Sequence, residues 1–333
     1  MGAERLGADR EELLRRVGLS PDVLEDVESR VPSAKHIPLL DEAVRMTGNQ
    51  NVGLHAGEWL AADPANTPYY LFLNCKTMGD GLRLMEKYYP VLSDTARLQL
   101  HMDGEWARLT LASIAPVPTF SRQVNEWTLA AWVTGLRMYA GENYNPLQAR
   151  FANARPNNTT EQDRVFRSPL GFDFPHTELI LRTEDLEIPH PTGEGDPSLV
   201  LMLEQHASGQ IERASHADPF LMDLRKELLA RLDGKELALS DVAGGLGMSE
   251  RTLQRKLQSY NSTFSELLES LRKEIAADLL RDIRIGVKEI SLKLGFSSTS
   301  AFYKAFHRWY KTTPAEFRRM LTSPSTLEES PPN

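Results

Sequence analysis

The stretch "GFSSTSAFYKAFHRWYKTTPAEFRR", Gly295 to Arg319, decides how this chain is read. Bases and aromatics crowd around a single acid, Glu316, in a chain of formal net charge −8. Phe302 and Phe306 lie four apart, so a helix puts them on one face. Ser298, Thr299, Ser300 and Lys304 then face out. The aromatics Phe296, Phe302, Phe306 and Trp309 read as core rather than as platforms for stacked bases. "TPAE", Thr313 to Glu316, matches a capping box, in which the Thr hydroxyl and the Glu carboxylate each accept from the other's backbone N–H. Pro314 falls at the first helical position, where its missing N–H costs nothing. Ser297 reads as the start signal of the first helix.

Some fifty residues earlier the pattern occurs again. "DVAGGLGMSERTLQRKL" begins at Asp241 and "EISLKLGFSSTSAFYKAF" at Glu289. Leu246-Gly247-Met248-Ser249 lies over Leu294-Gly295-Phe296-Ser297. Each unit reads as a short helix, a Gly turn, a Ser cap and a second helix, which is the layout of a helix-turn-helix. "TFSE", Thr263 to Glu266, repeats the capping box at the matching point. Between the units "FSELLESLRKEIAADLLRDI" reads as a long amphipathic connector. In the first unit Leu253 and Leu257 share the core face and leave Arg251, Thr252, Gln254 and Arg255 on other faces. Arg suits guanine and Gln suits adenine through paired hydrogen bonds. The second unit, with small hydroxyls and one Lys, is the poorer base reader, suited to phosphate contact and shape.

These residues resemble a family. "ISLKLGFSSTSAFYKAFHRWYKTTPAEFRR" is similar to the signature of the AraC/XylS transcription regulators, and "LSDVAGGLGMSERTLQRKL" to their first helix-turn-helix. The resemblance spans about 100 C-terminal residues. The texture of "GLHAGEW" and "TMGDGLRLMEKYYPVLSD" resembles the subgroup with an arabinose-binding-like effector domain. Some positions depart from the pattern: Ser291 stands for a usual Ala, Lys304 for a common Arg and Lys311 for a common Gly, and Gly244-Gly245 weakens the first scaffold helix. Lys304 lacks the bidentate geometry an Arg offers to guanine. The resemblance implies a transcription regulator, an activator by family habit, that binds double-stranded DNA. It further implies contact with RNA polymerase, an unidentified small-molecule effector and self-association as a homodimer. The DNA-contacting positions are then Ser249, Arg251, Thr252, Gln254, Arg255, Ser298, Thr299, Ser300, Lys304 and Lys311.

Outward from the duplication the texture changes. Residues 1–60 read as helices, in "DREELLRRVGL" and "IPLLDEAVRMTG". "ARLQLHMDGEWARLTLAS" alternates apolar and polar residues and reads as a β-hairpin turning at Asp103-Gly104. "VNEWTLAAWVTGLRMYAG" is an amphipathic helix stopped at Gly141. "LQARFANA" and "TELILRTEDL" read as strands around a short helix near "TEQDRVFRS". "DPSLVLMLEQHASGQIERA" is a helix capped by Asp196. The expected fold is an α+β N-terminal domain plus an all-α C-terminal domain, with two helix-turn-helix units (about 239–260 and 287–310) joined by a long helix. The domain boundaries fall at 1–215 and 216–322, with "SHADP" (215–219) as linker and a disordered tail at 323–333.

Charge divides the same way. Residues 220–323 hold 18 Lys/Arg against 13 Asp/Glu, a net of +5, while the rest of the chain nets −13. Such asymmetry fits a basic part that meets an anionic partner. One cysteine, Cys75, excludes an internal disulfide and a cysteine-rich zinc site. No apolar run is long enough to span a bilayer and no signal peptide is legible, so no membrane partner and a cytoplasmic location are expected. The chain has no Gly-rich phosphate loop and no His-Glu zinc motif, so no enzyme, metal or cofactor is expected. Tyr69, Trp106, Trp127 and Arg137 are the candidate effector-binding residues. The alternative reading is a ligand-independent repressor or an architectural DNA-binding protein. The acidic N-terminal part speaks against DNA wrapping, because it repels DNA.

Overall fold

A computed structural model describes residues 2–24, 31, 33–60, 66–93, 95–113, 120–213, 219–232, 234, 237–260 and 262–322 of the chain. The chain divides into two compact units, one built chiefly from residues up to 216 and the other from 217 onward. Most of "SHADP" and all of 323–333 lie outside the described residues.

The first unit is α+β. Its elements in order are α1 (Gly2–Arg5), α2 (Arg10–Val17), α3 (Ser33–Thr47), α4 (Val52–Leu60), α5 (Thr67–Leu73), α6 (Met78–Tyr88), β1 (Ala96–Asp103), β2 (Trp106–Ser113), α7 (Arg122–Ala140), β3 (Gln148–Arg150), α8 (Thr160–Phe166), β4 (Leu170–Gly171), β5 (Thr177–Arg182) and α9 (Pro197–Arg213). The strands form one sheet in the order β1-β2-β5-β3-β4, antiparallel except for β3 and β4. β1 and β2 are the expected hairpin. Asp103 pairs with Trp106, so the two-residue turn is Gly104-Glu105 rather than Asp103-Gly104. Gly104, the first residue of that turn, takes φ +65°, which glycine adopts freely. β4 has only two residues, too few for any alternation to show, and sequence reasoning missed it.

Alternation decides what the sheet buries. Leu98, Leu109, Leu111, Ala149, Leu179 and Leu181 pack with Phe72, Leu82, Leu129 and Val133 from the helices into one core. Arg150 and Glu178, buried on neighbouring strands, pair at 3.1 Å, and Gln148 accepts from Arg150 Nε at 2.7 Å. α7 is capped by Ser121, whose hydroxyl accepts from Val124 N, and ends at Gly141. α4 crosses α7 backbone to backbone: a Cβ on Gly53 would lie 2.1 Å from Gln123 O, and one on Gly57 2.3 Å from Trp127 O. Only glycine permits that approach.

The second unit is all helix among its described residues: α10 (Pro219–Arg231), α11 (Leu239–Gly245), α12 (Glu250–Ser259), α13 (Phe264–Arg281), α14 (Val287–Lys293), α15 (Thr299–Tyr310) and α16 (Pro314–Thr322). α13 is the long connector, and its apolar face serves two cores. Leu267, Leu268 and Leu271 pack with Val242, Leu253 and Leu257 of the first helix pair. Ala276, Ala277 and Leu280 pack with Ile290, Phe302 and Phe306 of the second. Both capping boxes are formed. Thr263 N donates to Glu266 Oε2 at 2.9 Å and Thr313 N to Glu316 Oε2 at 3.0 Å, with the reciprocal bonds at 3.3 Å.

Candidate nucleic-acid interface

α12 rests on Leu253 and Leu257, both fully buried. With that face fixed, the helical period leaves Arg251, Gln254, Arg255 and Gln258 exposed. Ser249 caps the helix, its Oγ accepting from Thr252 N at 3.3 Å. Thr252 is half-buried, and its own hydroxyl lies 2.9 Å from Ser249 Oγ. The cap therefore engages both hydroxyls. Gly247 turns the chain from α11 into α12 with φ +64°.

α15 is built alike, with one difference. Phe302 and Phe306 are fully buried, and Gly295 makes the turn at φ +69°. Yet the cap is Ser298, not Ser297: Ser298 Oγ accepts from Ala301 N at 3.1 Å. The turn of the second unit is one residue longer than that of the first. Ser249 therefore matches Ser298, Gln254 matches Tyr303, and Arg255 matches Lys304. The overlay by Leu-Gly-x-Ser holds only up to the turn. Thr299 is half-buried, and Ser300 and Lys304 are exposed. Two further residues on this face, Tyr303 and His307, are exposed and were missed by sequence reasoning. The available signal was their spacing, four and eight residues after Thr299. Lys311 ends the helix in the left-handed region at φ +55°, and its N–H donates to His307 O at 2.9 Å.

α13 holds both pairs in place. Arg225 of α10 pairs with Glu274 at 2.7 Å. Arg272 reaches back to the second turn, donating to Leu294 O at 2.9 Å and Gly295 O at 3.3 Å, with its guanidinium over the Phe296 ring. Glu269 accepts from Trp309 Nε1 at 2.6 Å and from Arg308, whose hydrogen bond holds the carboxyl below the usual range. Tyr310 OH donates to Lys273 O at 3.0 Å. Arg318 caps the end of α13, donating to Leu280 O and Ile285 O. Its role is structural, in keeping with its place near a helix C-terminus.

The four effector candidates do not converge. Tyr69 is buried and borders a packed apolar gap with Phe72, Leu82, Met85, Leu109, Trp132 and Leu136 that leaves no room for a water molecule. Burial pushes its phenol above the ordinary value, so it stays neutral. Trp127 sits elsewhere on α7, edge-on to His36 at 6.3 Å. Trp106 is half-buried at the start of β2. Arg137 is already engaged, donating to Tyr144 O, Val165 O, Asn145 Oδ1 and Phe166 O. Cys75 is buried and donates to Leu71 O, and burial raises its thiol to about 12, the state of an inert thiol. Among the described residues no group of His, Cys, Asp or Glu could hold a metal, and no helix is long and apolar enough to cross a membrane.

Two family models match the chain. Residues 7–190 match the arabinose-binding domain of AraC transcription regulators, and residues 242–320 match a helix-turn-helix domain. The ornithine utilization regulator of Pseudomonas aeruginosa is 27% identical over 312 residues, 94% of this chain and 91% of that one. The regulator VirS of Mycobacterium tuberculosis is 21% identical over 94% of this chain and 92% of its own. The dual transcriptional regulator Rns of Escherichia coli is 32% identical over 98 residues, 29% of this chain and 37% of that one.

Proposed function

The chain belongs to the AraC family of transcription regulators, and on that premise we propose that it is an effector-controlled activator that recognises its operator through α12 and α15. It is a DNA-binding regulator and not an enzyme. The observation that carries the reading is the outward face of α12: Arg251, Gln254 and Arg255 stand exposed while Leu253 and Leu257 are buried beneath them. A recognition helix enters the major groove in this way, with its N-terminal turns against base edges. Ser249, Thr252, Ser298, Thr299 and Ser300 flank the two helix starts, where caps and phosphate contacts coincide. Lys304 and Lys311 add charge on the second unit. DNA contact belongs to residues 216–322, and effector binding and self-association to 1–215, within the cytoplasm.

The effector is unidentified. A ligand that prefers one of two states shifts the protein toward it, and so changes DNA occupancy or polymerase contact. The test is transcription in vitro with purified RNA polymerase on a template carrying a selected binding site. The full chain should raise transcript, and a metabolite that stabilises the chain against heat should change that yield. A fall in transcript on every template, untouched by any ligand, would instead support the repressor or architectural reading.

A further inference from the structure

We infer that Tyr303 of α15 reads a thymine of the operator by contact with its methyl group. The inference rests on the DNA-reading function proposed above. A single exposed aromatic on a protein surface needs no explanation; the position of this one does. Once the longer turn of the second unit is allowed for, Tyr303 occupies the place that Gln254 holds on α12. Both are one residue past a fully buried anchor, Phe302 and Leu253. Both stand next to an exposed base, Lys304 and Arg255. Tyr303 is 39% exposed, and its ring stands edge-on to Phe302 at 6.4 Å. Thr299 and His307, four residues to either side, complete its stripe, and α15 carries no acid to repel phosphate.

The chemistry of the side chain names the base. A phenol ring offers no paired hydrogen bonds to a purine edge, so it cannot reproduce what Gln254 can do with adenine. It does offer a flat apolar surface. In the major groove the one apolar feature is the C5 methyl of thymine, and an aromatic side chain recognises it by contact. Tyr303 is thus suited to a thymine, while Lys304 beside it supplies charge. A face that looked in sequence like small hydroxyls and one Lys carries an apolar reader at its centre.

The test uses the full chain and duplexes of its selected binding site, in which each thymine of the second half-site is replaced in turn by uracil, which lacks only the methyl. Wild type should lose about fourfold in affinity at one thymine, the worth of one buried methyl. Tyr303→Phe should show the same loss. Tyr303→Ala should bind the thymine and uracil duplexes alike, with its preference in the first half-site unchanged, which also reports that the variant is folded. Wild type indifferent to every replacement, or Tyr303→Ala still sensitive to the same one, overturns the inference. A wild type that selects no site at all overturns the reading it rests on.

Discussion

Lys311 carries two opposed demands in one residue. Its backbone sits at φ +55°, where a side chain is strained and glycine is not. Its ammonium stands exposed at the end of α15. Lys311→Gly should therefore stabilise the second unit by about 1 kcal/mol, read as a higher midpoint in urea. The same change should weaken binding to all DNA sequences alike and reduce the salt slope by about one. A loss of preference at one base pair would instead make Lys311 a base reader. Glu126 shows the reverse situation, a charge placed where charge is disfavoured. It is fully buried on α7, and burial raises its carboxyl above the ordinary range although Arg122 and Gln162 donate to Oε1. A carboxyl whose pKa is raised on folding binds its proton more tightly in the native state. Its contribution is present below the ordinary carboxylate value and is lost as pH climbs through the raised one. Glu126→Gln should remove that loss. The melting temperature of the variant should gain on wild type as pH rises from the ordinary carboxylate range to neutrality, whereas a constant difference would show that Glu126 titrates normally.

At the scale of elements, α13 holds the second helix pair by side chains that reach backbone carbonyls. Arg272 does so at the turn itself. Arg272→Ala should leave two carbonyls without that donor, cost about 1–3 kcal/mol in stability, and weaken preference in the second half-site more than in the first. Equal weakening of both would mean that Arg272 supports the unit as a whole. The elements also show what could be read in advance. The helix pairs, the capping boxes, the connector and the hairpin were legible because each follows a short periodic or capping rule within one segment. The one-residue insertion between Gly295 and Thr299 was not, since Ser297 and Ser298 are equally good caps in sequence and only packing of Phe302 chooses between them. That choice moved the counterpart of Gln254 onto Tyr303. Arg137 is hard to place from sequence for a related reason. An Arg late in an amphipathic helix looks available to a ligand, and its four acceptors come from residues up to 29 positions away.

For the whole molecule, charge is the controlling quantity. The basic 220–323 segment nets +5 in a chain that nets −8. Association with DNA should accordingly fall steeply as salt rises, because bound Lys and Arg release counterions from phosphate. Charge supplies affinity for any duplex, while base contacts, led by those on α12, choose among them. Selection of binding sites from a random duplex pool by wild type and by Arg255→Ala separates the two contributions. Wild type should select a defined site. Arg255→Ala should select the same site with preference relaxed at one base pair and specific affinity lower by about 1–3 kcal/mol. An Arg255→Ala protein that selects the wild-type site with every position unchanged would contradict the assignment of Arg255 on α12 as a base reader.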